Sequence, residues 1–111
     1  MTLMKTETPG KLTRFTASEV QALFKRARKR YSSQGIDLRK APASKPYGRL
    51  LVVIPKSTGT APERNKIKRQ LKAIFYENAL YTKGCDILII IHKQAVELSF
   101  NTLQEILCHD S

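Results

Sequence analysis

The sequence predicts an α+β fold, a single-domain α-β sandwich in which helices pack on one small central sheet. Three observations predict it. The length of 111 residues suits one hydrophobic core, and a hydrophobic fraction of 41% is enough to form it. Two short apolar runs, Leu50–Ile54 and Ile87–Ile91, are typical of buried strands and lie among segments with helical periodicity. We expect the domain to span residues 12–108, with a flexible arm at 1–11 and a short tail at 109–111.

The first predicted element is an amphipathic helix that begins near Ser18, which suits an N-cap. The apolar residues that recur at i, i+3, i+4 and i+7 are Val20, Leu23, Phe24 and Ala27. The basic cluster at 25–30 is expected on the last turn of this helix, where cations interact favourably with the helix dipole. Residues 31–40 alternate weakly in polarity and predict an edge strand, and the proline-containing segment 41–48 predicts a loop.

The second half of the chain predicts a strand, a long helix, another buried strand and a final helix. Pro55 ends the strand at 50–54. A helix is expected over 62–81, since proline is well tolerated in the first turn of a helix. Ile87–Ile91 is the next strand, and Ser99 is the expected N-cap of the last helix. The element order is therefore α-β-β-α-β-α, which allows one strand to divide in two.

The positive charge is large and unevenly distributed. The formal net charge is +11, from 20 Lys and Arg against 9 Asp and Glu. Residues 1–72 hold 18 basic and 4 acidic side chains, a net of +14, whereas residues 73–111 hold 2 and 5, a net of −3. Two basic clusters dominate, at 25–30 and 64–69. Segregated positive charge indicates a polyanionic partner, nucleic acid above all, with an anionic membrane surface as the alternative.

A membrane span and a disulfide framework are not expected. Apolar runs such as Ile87–Ile91 have five residues, far short of the roughly 20 that cross a bilayer. The N-terminal residues lack the apolar stretch of a signal peptide, so a cytoplasmic protein is expected. The two cysteines, Cys85 and Cys108, are too few for a disulfide-stabilised scaffold.

No group of side chains predicts a catalytic or metal site in the protein. A two-metal nuclease needs clustered carboxylates, but the acidic residues are scattered singly along the chain. His92 and His109 lack partners at zinc-ligand spacing, and the proximity of Cys108 to His109 is attributed to chance. We therefore assign no catalytic residue and no metal ligand.

The predicted helix at 62–81 separates apolar from cationic residues around its axis. With about 100° per residue, the apolar stripe comprises Ile67, Leu71, Ile74 and Phe75. The arc from about 100° to about 200° away from Ile67 contains Lys68, Lys72, Asn65 and Arg69, with Lys66 beyond it and Arg64 near the apolar edge. No Asp or Glu occurs between positions 64 and 76.

This cationic face is suited to bind RNA. Arginine forms forked hydrogen bonds to phosphate, lysine contributes a point charge, and asparagine can reach a base edge or a ribose hydroxyl. The residues predicted to bind are Arg64, Asn65, Lys66, Lys68, Arg69 and Lys72.

The segment from Lys56 to Phe75 resembles the protein subunit of bacterial ribonuclease P. That family has a lysine-containing loop after a strand, then Gly and Ala, then an Arg-Asn-Arg-x-Lys-Arg helix with a later basic residue and Phe. The residues that match outright are Arg64, Asn65, Lys68, Arg69 and Phe75, while Lys66 and Lys72 keep the charge where arginine is usual. Weaker matches continue in family order over roughly residues 12–107.

The resemblance implies a fold and a function. The helix at 62–81 would lie in a left-handed crossover between parallel strands, although about 98% of such connections are right-handed. The protein would be the non-catalytic subunit of an endoribonuclease whose RNA subunit, with Mg²⁺ bound mainly by that RNA, matures the 5′ end of tRNA. The expected partners are the catalytic RNA and precursor tRNA. No protein-bound cofactor, membrane partner or protein oligomer is expected.

The resemblance also assigns roles to residues. The face at 64–72 would bind the catalytic RNA, and Phe24, Lys56 and Leu38 would contact the 5′ leader of precursor tRNA. In the family these positions line a cleft for the leader, and this chain departs from the family there. The loop that contains Lys56 has one lysine where two are usual, and Leu38 stands where an aromatic residue is common. The basic cluster at 25–30 serves either RNA or the end of the first helix.

Two alternatives share some of these features. A general basic RNA-binding protein, such as a ribosome-associated one, would have the same composition. It would not be expected to have the Arg-Asn helix followed by the isoleucine-rich strand. A protein-only nuclease requires a carboxylate cluster that the sequence lacks.

Overall fold

The computed structural model describes residues 13–109, which form three α-helices and four strands. In chain order the elements are α1 (Ala17–Arg26), β1 (Arg28–Ser33), β2 (Ile36–Pro42), β3 (Leu50–Val53), α2 (Ala61–Glu77), β4 (Cys85–Ile91) and α3 (Phe100–His109). The predicted arm at 1–11 and the last two residues of the predicted tail lie outside the described residues. The predicted α+β sandwich with one small sheet is confirmed.

The predicted edge strand is divided in two, as the element order allowed. Residues 31–40 belong to β1 and β2, which pair antiparallel around Gln34 and Gly35. Both turn residues have positive φ, 53° and 82°, as in the two-residue turns whose twist matches that of paired strands. A Cβ on Gly35 would lie 2.6 Å from the backbone nitrogen of Ala95, so glycine alone fits this position.

The sheet has the strand order β1-β2-β4-β3. β2 pairs antiparallel with β1 and with β4, whereas β3 and β4 are parallel, with Leu50 opposite Ile87. Parallel neighbours require a crossover connection, and α2 supplies it between β3 and β4. The β-α-β crossover that the resemblance implied is therefore present, and its left-handed sense stays a prediction.

The main core lies between the sheet and the helices α2 and α3. All residues of the predicted apolar stripe on α2 are at most 2% exposed: Ile67, Leu71, Ile74 and Phe75. They belong to one buried cluster with Leu38 and Leu50 of the sheet and Leu103 of α3. Each such burial contributes roughly 1.5–3 kcal/mol, and together they orient α2 with its cationic face outward.

The opposite face of the sheet is covered in part by α1. Leu23 of α1 is fully buried against Ala41 and Leu88 of the sheet. α1 has 10 residues, about 15 Å of helix, and it leaves several apolar residues of this face only half-buried. The apolar residues left half-buried there are Phe15, Ala27, Leu51, Val53 and Ile90. We call the surface beside α1 that contains the half-buried Leu51, Val53 and Ile90 the trough.

The predicted start of the first helix and the placement of the basic cluster are corrected. Thr16, not Ser18, is the N-cap: its hydroxyl accepts from the Glu19 N–H at 3.2 Å, and its own N–H donates to the Glu19 carboxylate at 2.9 Å. This capping box satisfies two N–H groups that a helix start leaves free. Residues 25–26 end α1, but residues 28–30 belong to β1. The cluster therefore spans a helix end and an edge strand.

The predicted end of the long helix moves from Tyr81 to Glu77. The Asn78 side chain donates from Nδ2 to the carbonyl of Ile74 at 2.9 Å, and Ala79 adopts a left-handed φ of 52°. Because a right-handed helix cannot continue through that conformation, the chain turns and Tyr81 packs back on the core.

The last helix begins as predicted. Ser99 Oγ accepts from the Thr102 N–H at 3.2 Å, as an N-cap does. Leu103 and Leu107 of α3 are fully buried. Among residues 13–109, no helix has the length and apolar character needed to span a membrane.

A buried ionic cluster holds α1 to the sheet. Asp86 is fully buried, and its carboxylate accepts from the Arg49 backbone N–H at 2.9 Å and from Arg26 Nη2 at 3.0 Å. The Arg49 guanidinium, in a residue 2% exposed, donates to Glu19 at 3.1 Å and lies 4.3 Å from the ring centroid of Phe15. These partners are 30 or more residues apart in the chain, so no local sequence pattern predicted the cluster.

Candidate RNA-binding surface

α2 begins with a capping box, so its first turn does not present a vacant phosphate site. The Thr60 hydroxyl accepts from the Glu63 N–H at 3.3 Å, and the Thr60 N–H donates to the Glu63 carboxylate at 2.9 Å. A carboxylate at this position stabilises the positive end of the helix dipole. The cationic face therefore begins after these residues, at position 64.

The cationic face of α2 points to solvent. Asn65, Lys66, Lys68 and Arg69 are exposed, and Arg64 and Lys72 are half-buried. Between residues 13 and 109, no acidic side chain forms an ion pair with any of these cations. Their charge is therefore available to an external polyanion.

Arg64 has a structural contact in addition to its place on this face. Its Nη1 donates to the backbone carbonyls of Lys56, at 2.8 Å, and Gly59, at 2.6 Å. These bonds tie the loop after β3 to the start of α2. The Lys56 side chain is exposed on that loop, so two predicted binding residues lie together at one end of α2.

The trough beside α1 forms a second candidate surface. Phe24 follows the buried Leu23 on α1 and is 39% exposed. The sheet residues Leu51, Val53 and Ile90 supply a half-buried apolar floor. An exposed aromatic ring on the helix that packs on this face of the sheet is suited to stack unpaired bases.

Leu38 does not contribute to the trough, and its predicted role as a leader contact is wrong. It is fully buried in the core beneath α2 and α3. Successive strand residues point to opposite faces, so its neighbours Asp37 and Arg39 share the α1 side with Ala41. The weak alternation of residues 31–40 left the register of the strand undetermined, and a shift of one residue exchanges the two faces.

Asp37 and Arg39 form an ion pair on the trough side of β2. Arg39 Nε donates to Asp37 Oδ1 at 3.2 Å, and Nη2 donates to Oδ2 at 3.0 Å. The hydrogen bonds from Arg39 hold the pKa of the Asp37 carboxyl below its usual value, and the charges of Lys29 and His92 lower it further. This part of the trough therefore combines one carboxylate with a surplus of basic groups.

Replacing Asp37 with asparagine should lower the free energy of unfolding near neutral pH by about 0.2–1 kcal/mol, as for other partly exposed ion pairs. The folded-state pKa lies below the ordinary 3.8, so the carboxylate's contribution is fully present above that value. It is lost as the pH falls through the folded-state pKa. Urea unfolding near pH 7 and near pH 3 should show a difference between wild type and variant that shrinks on acidification.

The control for this experiment is Glu97→Gln, which changes an exposed carboxylate outside the pair. It should leave unfolding nearly unchanged near neutral pH. A difference between wild type and Asp37→Asn that is as large near pH 3 as near pH 7 would contradict the ion pair's contribution.

The basic cluster at 25–30 divides into residues with different contacts. Arg26 donates to the Asp86 carboxylate and to the Pro42 carbonyl, so it belongs to the buried ionic cluster. The other basic residues of the cluster are exposed. Cations on an edge strand such as β1 also oppose pairing with a second chain.

Among residues 13–109, no group of three or more His, Cys, Asp or Glu side chains could hold a metal ion. Cys85 and Cys108 are free and half-buried, and burial raises the pKa of the Cys108 thiol. The carboxylates of Asp86 and Glu63 are engaged by arginine and by a helix cap, respectively. The site that the structure assembles is thus one of exposed cations and half-exposed apolar groups.

Comparison with known proteins gives one family. The ribonuclease P family model matches residues 13–109 of this chain. The ribonuclease P protein component of Mycoplasma capricolum is 36% identical over 58 residues, which cover 50% of this chain and 53% of that protein. The corresponding component of Finegoldia magna is 37% identical over 67 residues, which cover 60% and 59%. The chain therefore spans little more than half the length of these curated relatives.

A solved structure shares the fold. The RNase P protein of Staphylococcus aureus, determined at 2.0 Å, is similar with a TM-score of 0.76 and 21% sequence identity. The similarity covers 89% of this chain and 91% of that one. At this level of identity the likeness establishes the common α-β architecture.

Proposed function

Since the chain belongs to the ribonuclease P protein family, we propose that it is the protein subunit of a ribonucleoprotein endoribonuclease that removes the 5′ leader from precursor tRNA. In this proposal the RNA subunit hydrolyses the phosphodiester bond, and the protein binds and positions RNA. The observation that carries it is the cationic face of α2, whose basic side chains have no acidic partner between residues 13 and 109.

The catalytic RNA would bind along α2. The contact residues would be Arg64, Asn65, Lys66, Lys68, Arg69 and Lys72. Each phosphate that is neutralised releases counterions, so log affinity falls with log salt by about 0.7–0.9 per contact. Asn65 would add both a donor and an acceptor for a ribose hydroxyl or base edge, which lysine cannot supply.

The 5′ leader would lie in the trough. Phe24 would stack on an unpaired base, and Lys56, which follows β3, would attract the leader backbone. Leu51 and Val53 of that strand take the place of the buried Leu38 as the apolar floor. Stacking contributes roughly 1–3 kcal/mol per base and depends little on sequence, which suits leaders of varied sequence.

Mg²⁺ would be held mainly by the RNA subunit, where it supplies Lewis-acid chemistry to the hydrolysis. Two of the protein's carboxylates already have partners of their own. Asp86 is engaged by arginine and Glu63 by a helix cap, and no group of ligands forms among the described residues. In this proposal the protein binds and positions RNA and contributes no catalytic side chain.

Binding two RNAs at once would explain how such a protein assists cleavage. The catalytic RNA on α2 and the leader in the trough would occupy different faces of one small domain. The second contact then becomes intramolecular and raises the effective concentration of substrate. Added cations also offset phosphate repulsion, which would lower the Mg²⁺ that the RNA needs. Both RNAs would be met in the cytoplasm.

One reconstitution tests the proposal. Precursor tRNA cleavage is measured with protein alone, with the catalytic RNA alone at low Mg²⁺, and with both. We expect no cleavage by protein alone, slow cleavage by RNA alone, and a clear acceleration when both are present. Cleavage by protein alone would overturn the non-catalytic role. Absence of acceleration would leave a general RNA-binding protein.

A further inference from the structure

A groove on the α3 side of the molecule has no role in the proposed function. It lies between the β1–β2 hairpin, the end of α2 and the exposed side of α3, with a volume of about 810 Å³. The polar residues that line it include Tyr31, Gln34, Asn78, Asn101, Gln104 and Glu105. Its size is within the range of sites that hold small ligands.

One wall of the groove is a polar stripe of α3. Asn101, Gln104 and Glu105 fall within about 100° of the helix circumference. Leu103 and Leu107 lie on the other side of the helix and are fully buried. The packing of these leucines therefore fixes the direction in which the polar stripe points.

The other wall presents neutral donors and acceptors. Gln34 Nε2 donates to the Tyr31 hydroxyl at 3.2 Å, so the Gln34 carbonyl oxygen and the Tyr31 O–H remain for a ligand. Asn78 Nδ2 donates to the Ile74 carbonyl at 2.9 Å, which leaves its side-chain oxygen as an acceptor. Carboxamides with both functions match the edges of unpaired bases.

Two left-handed residues lie at or beside this second wall. Gln34 and Ala79 are the two non-glycine residues with positive φ in the described part of the chain, at 53° and 52°. Gln34 lines the groove, and Ala79 follows Asn78, which also lines it. The hairpin turn and the turn after α2, in which these two residues lie, therefore give this wall its shape.

The groove is nearly neutral although the chain is strongly basic. None of its described lining residues is Lys or Arg, and Glu105 is its one carboxylate. Two lysines, Lys83 and Lys40, lie near Cys108 at one end of the groove. Burial raises the pKa of the Cys108 thiol, and the charges of these lysines oppose part of that rise. This distribution fits a ligand with a neutral polar body and one anionic group.

We propose that the groove binds one unpaired nucleotide of RNA, with its base among the carboxamides and its phosphate toward Lys83. The Glu105 carboxylate accepts a hydrogen bond from an exocyclic amino group, which cytosine carries and which uracil replaces with a carbonyl oxygen. The groove therefore prefers cytosine to uracil. This contact is separate from the α2 face and the trough, and it does not depend on cleavage.

A protein segment fits the groove less well. The neighbouring edge strand β1 exposes Arg28 and Lys29, so a strand added there would have to be acidic. The Glu105 carboxylate would repel an acidic segment at the same place. A nucleotide avoids this conflict because its charge is confined to one end.

The test is a titration of the full-length protein with CMP and with UMP, followed by ¹H–¹⁵N NMR. The side-chain NH₂ signals of Gln34, Asn101 and Gln104 report directly on the groove. We expect these signals to shift with CMP at a dissociation constant at least about fivefold lower than with UMP, as a base-specific hydrogen bond allows. Glu105→Ala should remove the preference, whereas Glu97→Ala, which changes the net charge equally at an exposed site, should keep it.

Three results would overturn the proposal. The first is an equal response of the groove signals to CMP and UMP. The second is a response confined to α2 and the trough. The third is a stronger response of the same signals to an acidic pentapeptide than to CMP. Each of these is independent of the reconstitution, because a protein that fails to accelerate cleavage can still bind CMP in the groove.

Discussion

Replacing Arg64 and Arg69 together with alanine is expected to weaken binding of the catalytic RNA by about a hundredfold or more. A hydrogen bond to a charged group contributes roughly 1.5–3 kcal/mol, and about 1.4 kcal/mol corresponds to a factor of ten. Removing two phosphate contacts should also reduce the slope of log affinity against log salt by about 1.4–1.8. Filter binding or fluorescence anisotropy over a salt series measures both quantities.

The two arginines differ in their structural contacts, so single variants separate binding from folding. Arg69 is exposed, and Arg69→Ala should weaken RNA binding without changing thermal stability. Arg64 also donates to the carbonyls of Lys56 and Gly59, so Arg64→Ala should lower both affinity and stability.

The control for the double variant is Arg14→Ala with Lys93→Ala, which removes the same charge from exposed positions outside α2. It should change affinity much less, because charges distant from the bound phosphates act through screened, long-range attraction. An affinity and salt slope in the Arg64 and Arg69 double variant equal to those of wild type would contradict the assignment of the α2 face.

Replacing Asp86 with alanine is expected to lower the free energy of unfolding by about 3 kcal/mol, the low end of the range for broken buried ion pairs, because the Arg26 side chain is 33% exposed. Asp86 is fully buried, and its two oxygens accept from the Arg49 backbone N–H and from Arg26. The variant leaves a buried N–H and a cation without their partner. For a domain of this size, each 1 kcal/mol corresponds to about 4–8 °C in Tm, so calorimetry and urea unfolding should both detect the change.

Asp86→Asn tests whether the stability contributed by Asp86 comes from its charge or from its shape and hydrogen bonding. Asparagine can still accept from the Arg49 N–H, but it no longer carries the charge that pairs with Arg26, so we expect much of the stability loss to persist. Asp37→Asn is the comparison at a partly exposed pair and should cost no more than about 1 kcal/mol. A loss below about 1 kcal/mol for Asp86→Ala would contradict the structural importance of the buried cluster.

The buried ionic cluster also holds α1, which carries Phe24, in its position beside the trough. Arg26 joins the end of α1 to Asp86, and Arg49 joins its start to the sheet through Glu19. Phe24 and Leu23 lie between these two attachments. A chain that retains its sheet but loses the cluster would therefore lose the position of Phe24 over the trough before it loses the α2 face.

Several elements were predictable because their signals are local. The stripe at Ile67, Leu71 and Ile74 has helical spacing, and the structure buries it as expected. The strand at 87–91 is a continuous apolar run, and it forms the last five residues of β4. The N-cap at Ser99 was predicted because a serine precedes a segment with helical apolar spacing. The hydrogen bond from the Thr102 N–H to the Ser99 hydroxyl confirms it.

The errors arose where the outcome depends on distant partners. The family resemblance placed Leu38 on the binding surface, and the weak alternation of residues 31–40 does not specify which face of the strand is buried. The end of the long helix was placed at Tyr81, but the left-handed Ala79 and the packing of Tyr81 on the core stop it four residues earlier.

The sequence by itself determined the fold class, the surplus of positive charge and the face of α2 on which that charge lies, because periodicity and charge are properties of consecutive residues. The tertiary structure decided which side of the sheet each strand residue faces, how Asp86 and Arg49 hold α1, and where the trough and the α3 groove lie. The physical reason is that register, buried ion pairs and concave surfaces come from contacts between residues far apart in the chain. Such contacts are selected by the packing of the whole domain rather than by any one segment.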